Sequence, residues 1–295
     1  MVDVYRTRIS FTKNFDPSGG PTNLRCPVMI GHVTRSPTVT PALPPMNDAS
    51  VTTGPAWVCI PTYNERENVQ ALVTAVLASL DSAGIDGHVL VIDDGSPDGT
   101  GAIADLMAES DARVHVLHRA EKCGIGPAYI AGFQHALAQG AGLILEMDCD
   151  FSHDPAALPR LIEAARDADL VIGSRYTPGG GVTDWGLVRR GISRGGCLYA
   201  QAILGTSVRD LTGGFKCFHR RVLEAIPLDE VSGQGYGFQI EMTYRTLLAG
   251  FRVVEVPITF TDRTAGESKM SRDIVMEAAT LVPRLRRHLG PIPRR

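Results

Sequence analysis

The chain has 295 residues, 44% of them hydrophobic and 21% charged, with 31 glycines and 19 prolines; it is long enough for one large α/β domain and far from collagen-like, disulfide-stapled or disordered extremes. A formal charge of −3 excludes a surface that binds polyanions as a whole, so no nucleic-acid partner is expected and phosphate recognition must come from local basic groups. No apolar stretch reaches the roughly 18 residues of a membrane span, and the start of the chain lacks the apolar region of a secretory signal, so a cytoplasmic chain is expected.

Residues 1–54 are rich in Pro, Thr and Ser without sustained periodicity, the composition of a poorly ordered leader. From Trp57 the pattern changes to short β-rich runs alternating with helical segments, the signature of βαβ units and a mostly parallel sheet. Strands are expected at 57–60, 89–92, 114–117, 143–147 and 170–172, with helices at about 66–80, 100–110, 126–139 and 155–166. Asn64 and Asp98 are read as N-caps and Pro155 as a first-turn proline. After the glycine-rich loop Pro178–Gly181 follow a helix at about 188–204, a strand around 214–218, a helix near 236–249 and β-rich residues 252–260. The reading is a doubly wound α/β domain over 55–271, helices on both faces, then a basic helical tail over 272–295.

In such sheets ligands bind beyond the carboxyl ends of the strands, and the polar residues cluster there: Pro61-Thr-Tyr63-Asn-Glu65, Asp93-Asp94-Gly95-Ser96, Asp148-Cys149-Asp150 and Gly173-Ser-Arg175-Tyr176. Asp148 and Asp150, two apart at a strand end, can leave one face together and chelate Mg²⁺ or Mn²⁺. A second D-x-D, Asp167 and Asp169, precedes a strand and reads as a solvated turn. Asp93 and Asp94 fit either an Asx turn with a helix cap or an acceptor for a ribose or base. The glycine fingerprints of dinucleotide and P-loop sites are absent, as are the G-x-S-x-G and H-E-x-x-H motifs.

Arg263 and Lys269, on a polar loop with a glycine, suit a phosphate-bearing ligand covered after binding, or are solvated surface charges. Arg175 has the same two readings, with a structural ion pair as its alternative. His153 reads as a support for Asp150 or as a helix-start polar residue. Glu241, on an apolar helix face, needs a partner if buried. The six cysteines, Cys26, Cys59, Cys123, Cys149, Cys197 and Cys217, contain no C-x-x-C pair and read as reduced, mostly structural thiols.

Taken together, residues 61–68, 92–99, 147–153, 173–176, 210–215 and 262–269 resemble, in unbroken order, the dolichyl-phosphate mannose synthases of the inverting GT-A glycosyltransferases of family 2. The resemblance spans about 57–272 and leaves out the leader and the basic tail. It implies a GT-A fold and transfer of mannose from GDP-mannose to a polyprenyl (dolichyl-type) monophosphate. It also implies that Pro61, Tyr63, Glu65, Ile92 and Asp94 line a guanine-nucleotide pocket, with Cys149 contacting it through its backbone. Asp148 and Asp150 would hold a metal on the diphosphate, and Arg175, Arg263 and Lys269 would meet the phosphates of donor and acceptor. Cys149 departs from the Ala common in the family.

A lipid monophosphate is already largely dianionic at neutral pH, its second pKa lying near 6, so the transfer requires cations rather than a general base. The enzyme is expected to work at the cytosolic face of a membrane, held peripherally or through an integral-membrane partner. The Val282–Leu289 segment has either the basic-apolar mixture of a surface anchor or that of a solvated helix end. Two alternatives remain: a polyprenyl-phosphate glucosyltransferase using a UDP sugar, and a non-catalytic subunit that binds a sugar nucleotide.

Overall fold

The structure, a computed structural model, describes residues 54–262 and 272–293. The leader, and the loop carrying Arg263 and Lys269, fall outside the described residues. Apolar runs with both faces buried form the centre of the sheet: β1 (Ala56–Thr62) buries Trp57, Val58, Cys59 and Ile60, as expected of a strand between two parallel neighbours. After β1 come α1 (Val69–Ser82), β2 (Gly87–Asp93), α2 (Thr100–Ser110), β3 (Val114–His118), α3 (Ile125–Ala138) and β4 (Leu143–Glu146). A turn of 3-10 helix at Pro155–Ala157 leads into α4 (Leu158–Ala164), and β5 (Leu170–Ser174) and β6 (Gly181–Val182) follow. The chain is completed by α5 (Leu187–Leu204), β7 (Lys216–His219), α6 (Arg220–Ala225), α7 (Gly235–Leu248), β8 (Val253–Pro257), β9 (Thr259–Phe260) and α8 (Arg272–Leu289).

The main sheet has the order β3-β2-β1-β4-β7-β5-β8. Its strands are parallel except β7, which runs antiparallel to both β4 and β5. Alternate side chains separate two cores. Val58 and Ile60 face α1 and α4 through Leu72, Val76, Leu158 and Leu161, whereas Trp57 and Cys59 face α3, α5, α7 and α8 through Tyr129, Phe133, Leu204, Phe238 and Val282. β6 and β9 form a separate parallel pair.

Two cap assignments change. Asn64 has a left-handed backbone (φ 59°) and caps nothing, because α1 starts after Asn68. Asp98 does act at the start of α2, accepting from Thr100 N at 3.0 Å and from Arg66 N at 3.1 Å, with Gly99 in the cap position itself. At the 3-10 turn that leads into α4 it is Asp154, before Pro155, that accepts from Ala156 N at 2.9 Å.

The basic tail is less peripheral than its composition implies. Leu281, Val282 and Leu285 are buried in the core beside α5 and α7, while Arg284 and Arg287 point outward. The apolar half of an anchor at 282–289 is thereby used inside the domain. Among the described residues no helix is long and apolar enough to cross a membrane. Cys59, Cys149, Cys197 and Cys217 are buried free thiols; Cys123 is disulfide-bonded, contrary to the reduced-thiol expectation.

Candidate active site

The loops after β1, β2, β4 and β5 converge on one cleft of about 480 Å³. Its walls at one end are tied together by short polar bonds between the first two loops. Asn64 N–H donates to Ser96 Oγ (3.1 Å), Glu65 N–H to Thr100 Oγ1 (3.0 Å) and Asp94 N–H to the Thr62 carbonyl (3.1 Å). Pro61, Tyr63, Glu65 and Asp94 all line this end. Asp94 pairs with Arg119 Nη1 at 2.6 Å; its burial pushes the carboxyl above the ordinary range, against the pull of that arginine. Lys122 stands 4.2 Å above the centre of the Tyr63 ring and lines the same wall. Ile92 does not line the cleft: its side chain is fully buried, with Cδ1 against Gly132 on α3. Asp93 also stays out of it, holding the β1 and β2 ends together through Thr62 Oγ1 (3.4 Å) and Ser96 N–H (3.3 Å). This is the turn reading of that residue.

Asp148, Cys149 and Asp150 line the middle of the cleft, just past β4. Asp150 accepts from Ser152 N–H at 3.0 Å, and Asp148 N–H donates to His153 Nδ1 at 3.2 Å. His153 is buried and stacked on Phe215, ring centres 4.9 Å apart. Because its Nδ1 accepts, the neutral ring carries its proton on Nε2, and burial holds its pKa below the ordinary value. It supports the first aspartate's backbone, the role expected of it beside the second. Cys149 lines the cleft while being 3% exposed and part of a core cluster.

Among the described residues no group of three or more His, Cys, Asp or Glu is placed to hold a metal. Two carboxylates on one loop, open to a cleft that can accommodate phosphate oxygens and water, form the hard, partial donor set that suits Mg²⁺ or Mn²⁺, which keep several non-protein ligands. The residues therefore fit such an ion, which Asp148 and Asp150 would hold.

Arg175 reaches the cleft, but its guanidinium is committed. Nε donates to Asp210 Oδ2 at 2.7 Å, Nη2 to Asp210 Oδ1 at 2.6 Å and to Thr212 Oγ1 at 2.8 Å. The structural ion pair, one of the two readings of Arg175, is what the fold contains. Arg189 was missed. It lines the cleft 4.2 Å from the Trp185 ring centre, with Nη1 on Asp262 at 2.7 Å and its buried Nε without a hydrogen bond among the described residues. In the sequence it is one of two adjacent arginines opening an amphipathic helix, and only its position relative to Trp185 marks it out. Gln239 also lines the cleft and carried no sequence signal.

A second, apolar groove of about 340 Å³ lies between α5, α7 and α8, and shares Thr212 and Tyr236 with the cleft. Leu187, Val188, Ile192 and Leu198, all on α5, are exposed.

Residues 57–226, more than half of the chain, match the model of glycosyl transferase family 2. The chain is 51% identical over 225 residues to an undecaprenyl-phosphate mannosyltransferase of Micrococcus luteus, covering 76% of this chain and 91% of the relative. It is 49% identical over 223 residues to a polyprenol monophosphomannose synthase of Mycolicibacterium smegmatis, covering 75% and 83%. In fold it is similar to glucosyl-3-phosphoglycerate synthase from Mycobacterium tuberculosis, solved with Mn²⁺, UDP-glucose and glycerol 3-phosphate, at a TM-score of 0.56, 18% identity and coverage of 81% and 82%. The motif order read along the strand ends, the cleft they build and these relatives agree: the chain is a glycosyltransferase and belongs to glycosyl transferase family 2.

Proposed function

We propose that this enzyme transfers mannose from GDP-mannose to a polyprenyl monophosphate, with inversion, releasing GDP. The observation that carries the reading is the junction of the polar, acidic cleft with the apolar groove through Thr212 and Tyr236. A polar head and an isoprenoid tail need those two environments side by side. The names of the two bacterial relatives, both acting on polyprenyl carriers, support the same acceptor. In this reading Pro61, Tyr63, Glu65 and Asp94 hold the nucleoside, and Asp148 and Asp150 hold a divalent ion. That ion, when bound, neutralises the charge of the leaving diphosphate.

The acceptor phosphate, largely dianionic at neutral pH, attacks the anomeric carbon with an oxygen lone pair. The bond from that carbon to the GDP oxygen breaks, and its electron pair leaves with the diphosphate. One displacement turns an α-linked donor into a β-linked product without a general base. What this chain supplies is positive charge around two anions. Lys122 and Arg189 line the cleft, Arg175 holds the Asp210–Thr212 wall, and Arg263 and Lys269 are assigned to the phosphates on their sequence context. The exposed apolar residues of α5 support peripheral contact with the cytosolic face of a membrane.

The test is transfer of labelled sugar to polyprenyl monophosphate from GDP-mannose or UDP-glucose, with and without Mg²⁺ or Mn²⁺. Metal-dependent mannolipid is expected. Glucolipid would overturn the donor, and nucleotide binding without any transfer would identify a binding subunit instead.

A further inference from the structure

Directly beneath the aspartate pair, β4 and β7 place Glu146 opposite Lys216. Both side chains are fully buried. Burial draws the lysine pKa down to about 8 and pushes the glutamate up to about 7. As a stabiliser the pair is poor, since neither Glu146 oxygen has a hydrogen-bond partner to offset the cost of burying two charges. Its geometry indicates another use. Lys216 Nζ donates to Gln239 Oε1 at 2.6 Å and to the Gln239 carbonyl at 2.8 Å. An ammonium has three donors and no acceptor, so only the oxygen end of the amide can face it. The NH₂ end is thereby turned away from Lys216. Neither Glu146 oxygen has a hydrogen-bond partner of normal length, but the Gln239 amide favours its ionised form, so one N–H of the NH₂ group is turned towards that carboxylate.

The other end of Gln239 meets the cleft. The residue lines it, and with one N–H of Nε2 turned towards Glu146 the other is left for a group in the cleft. The neighbouring wall is Gly214, where a Cβ would stand 3.4 Å from Nε2 and 3.9 Å from the His153 ring; with no side chain there, space remains in front of the amide. The order of the sheet says what occupies that space. The nucleoside end lies over β2 and β1, the aspartate pair follows β4, and Gly214 leads into β7, the next strand along. A group attached to the far side of the diphosphate falls at the β4–β7 position.

We propose that Gln239 recognises the sugar of the nucleotide donor, its amide NH₂ donating to a hydroxyl of the hexosyl group, and that Lys216 is the positioning residue that fixes which end of the amide faces the cleft. This rests on the functional reading above in taking the ligand to be a nucleotide sugar with its nucleoside over β1 and β2 and its diphosphate at the aspartate pair.

The test is binding to the full chain in the presence of Mn²⁺, comparing GDP-mannose with GDP. Gln239→Glu keeps an acceptor for Lys216 and removes the donor. It is expected to weaken GDP-mannose roughly tenfold, the scale of one lost hydrogen bond, while leaving GDP unchanged. Lys216→Met frees the amide to turn over and is expected to shift the same ratio in the same direction. Should Lys216→Met fail to fold, Gln239→Glu decides alone. Equal losses for both ligands, or no loss for either, would overturn the proposal. If the wild type binds UDP-glucose in place of GDP-mannose, the donor assignment fails and the ratio of UDP-glucose to UDP tests Gln239 unchanged. If it binds no nucleotide sugar, both readings fall.

Discussion

Arg175 and Asp210 form a two-pronged ion pair out of solvent, Nε to Oδ2 at 2.7 Å and Nη2 to Oδ1 at 2.6 Å, and the same carboxylate accepts from Arg175 N–H at 2.9 Å. The carboxylate thus holds both the side chain and the backbone of the loop after β5. Asp210→Ala leaves an arginine buried without its partner, and a loss of about 3–5 kcal/mol in unfolding free energy is expected. Urea unfolding measures it; a loss under about 1 kcal/mol would place the pair among those that contribute little.

Asp150→Ala is expected to abolish transfer while the fold survives. Asp150 accepts a backbone hydrogen bond from Ser152, and losing such a bond costs about 1 kcal/mol, too little to unfold the domain. Activity beside a thermal melt separates the two effects. Chelation should stop wild-type transfer, and added Mn²⁺ or Mg²⁺ should restore it. Normal turnover by the variant would remove the metal from the mechanism.

Lys269→Ala is expected to impair transfer more than GDP binding, because in the proposed reading this lysine meets the reacting phosphates only after the nucleotide is seated. Steady-state rates and GDP titration give the two numbers. Equal losses would mean that the lysine belongs to the nucleotide pocket.

Glu241 resolves into a structural role. Its carboxylate, 1% exposed, accepts from Ser232 N–H at 3.1 Å and Gly233 N–H at 2.9 Å, and pairs with Arg245 Nε at 2.9 Å. Gly233 in turn packs where a Cβ would stand 2.5 Å from the Gly237 backbone. Glu241→Ala should therefore lower stability by about 3 kcal/mol and loosen the start of α7, seen as faster amide exchange at 232–238.

Stability is expected to fall on the acid side. His115 stacks on Trp57, ring centres 4.4 Å apart, and shares a 3.0 Å nitrogen-to-nitrogen hydrogen bond with His88. Burial first, and then the charges of His88 and His135, hold its pKa below the ordinary 6.5. The unfolded chain therefore binds more protons than the folded one in the window below about pH 6.5, and stability drops as pH falls through it. Urea midpoints at pH 7.5 and 5.5 measure the slope, which His115→Phe should reduce while keeping the stack.

The first five strands were legible because each is an apolar run closed by a polar strand end, and Val89–Ile92 or Leu143–Met147 can hardly be anything else. The direction of β7 was not, since nothing in Lys-Cys-Phe-His says which neighbours it pairs with. The same limit applies to the site. Asp148 and Asp150 are two residues apart and visible together, whereas Arg175 and Asp210 are 35 apart and their pairing exists only once β5 and β7 are side by side. Gln239 and Lys216, 23 apart, were silent for the same reason. Pro61, Tyr63, Glu65 and Asp94 line the cleft because each follows a strand end, whereas the period-two position of Ile92 turns it into the core.

The lone antiparallel strand also dictates the order in which the molecule can be finished. During synthesis β3, β2, β1 and β4 can pair as soon as they emerge, but among the described residues β5 has β7 and β8 as its only strand partners, and both are made after it. Until residues 216–219 arrive, β4 presents a bare edge and β5 belongs to no sheet. Insertion of one late strand closes that gap and joins the two halves. Because the same strand is flanked by Gly213-Gly214 and carries Lys216, its arrival covers the β4 edge and sets one wall of the cleft, whose remaining lining between Gln234 and Asp262 follows, and a ribosome pausing before it leaves an open edge prone to aggregation.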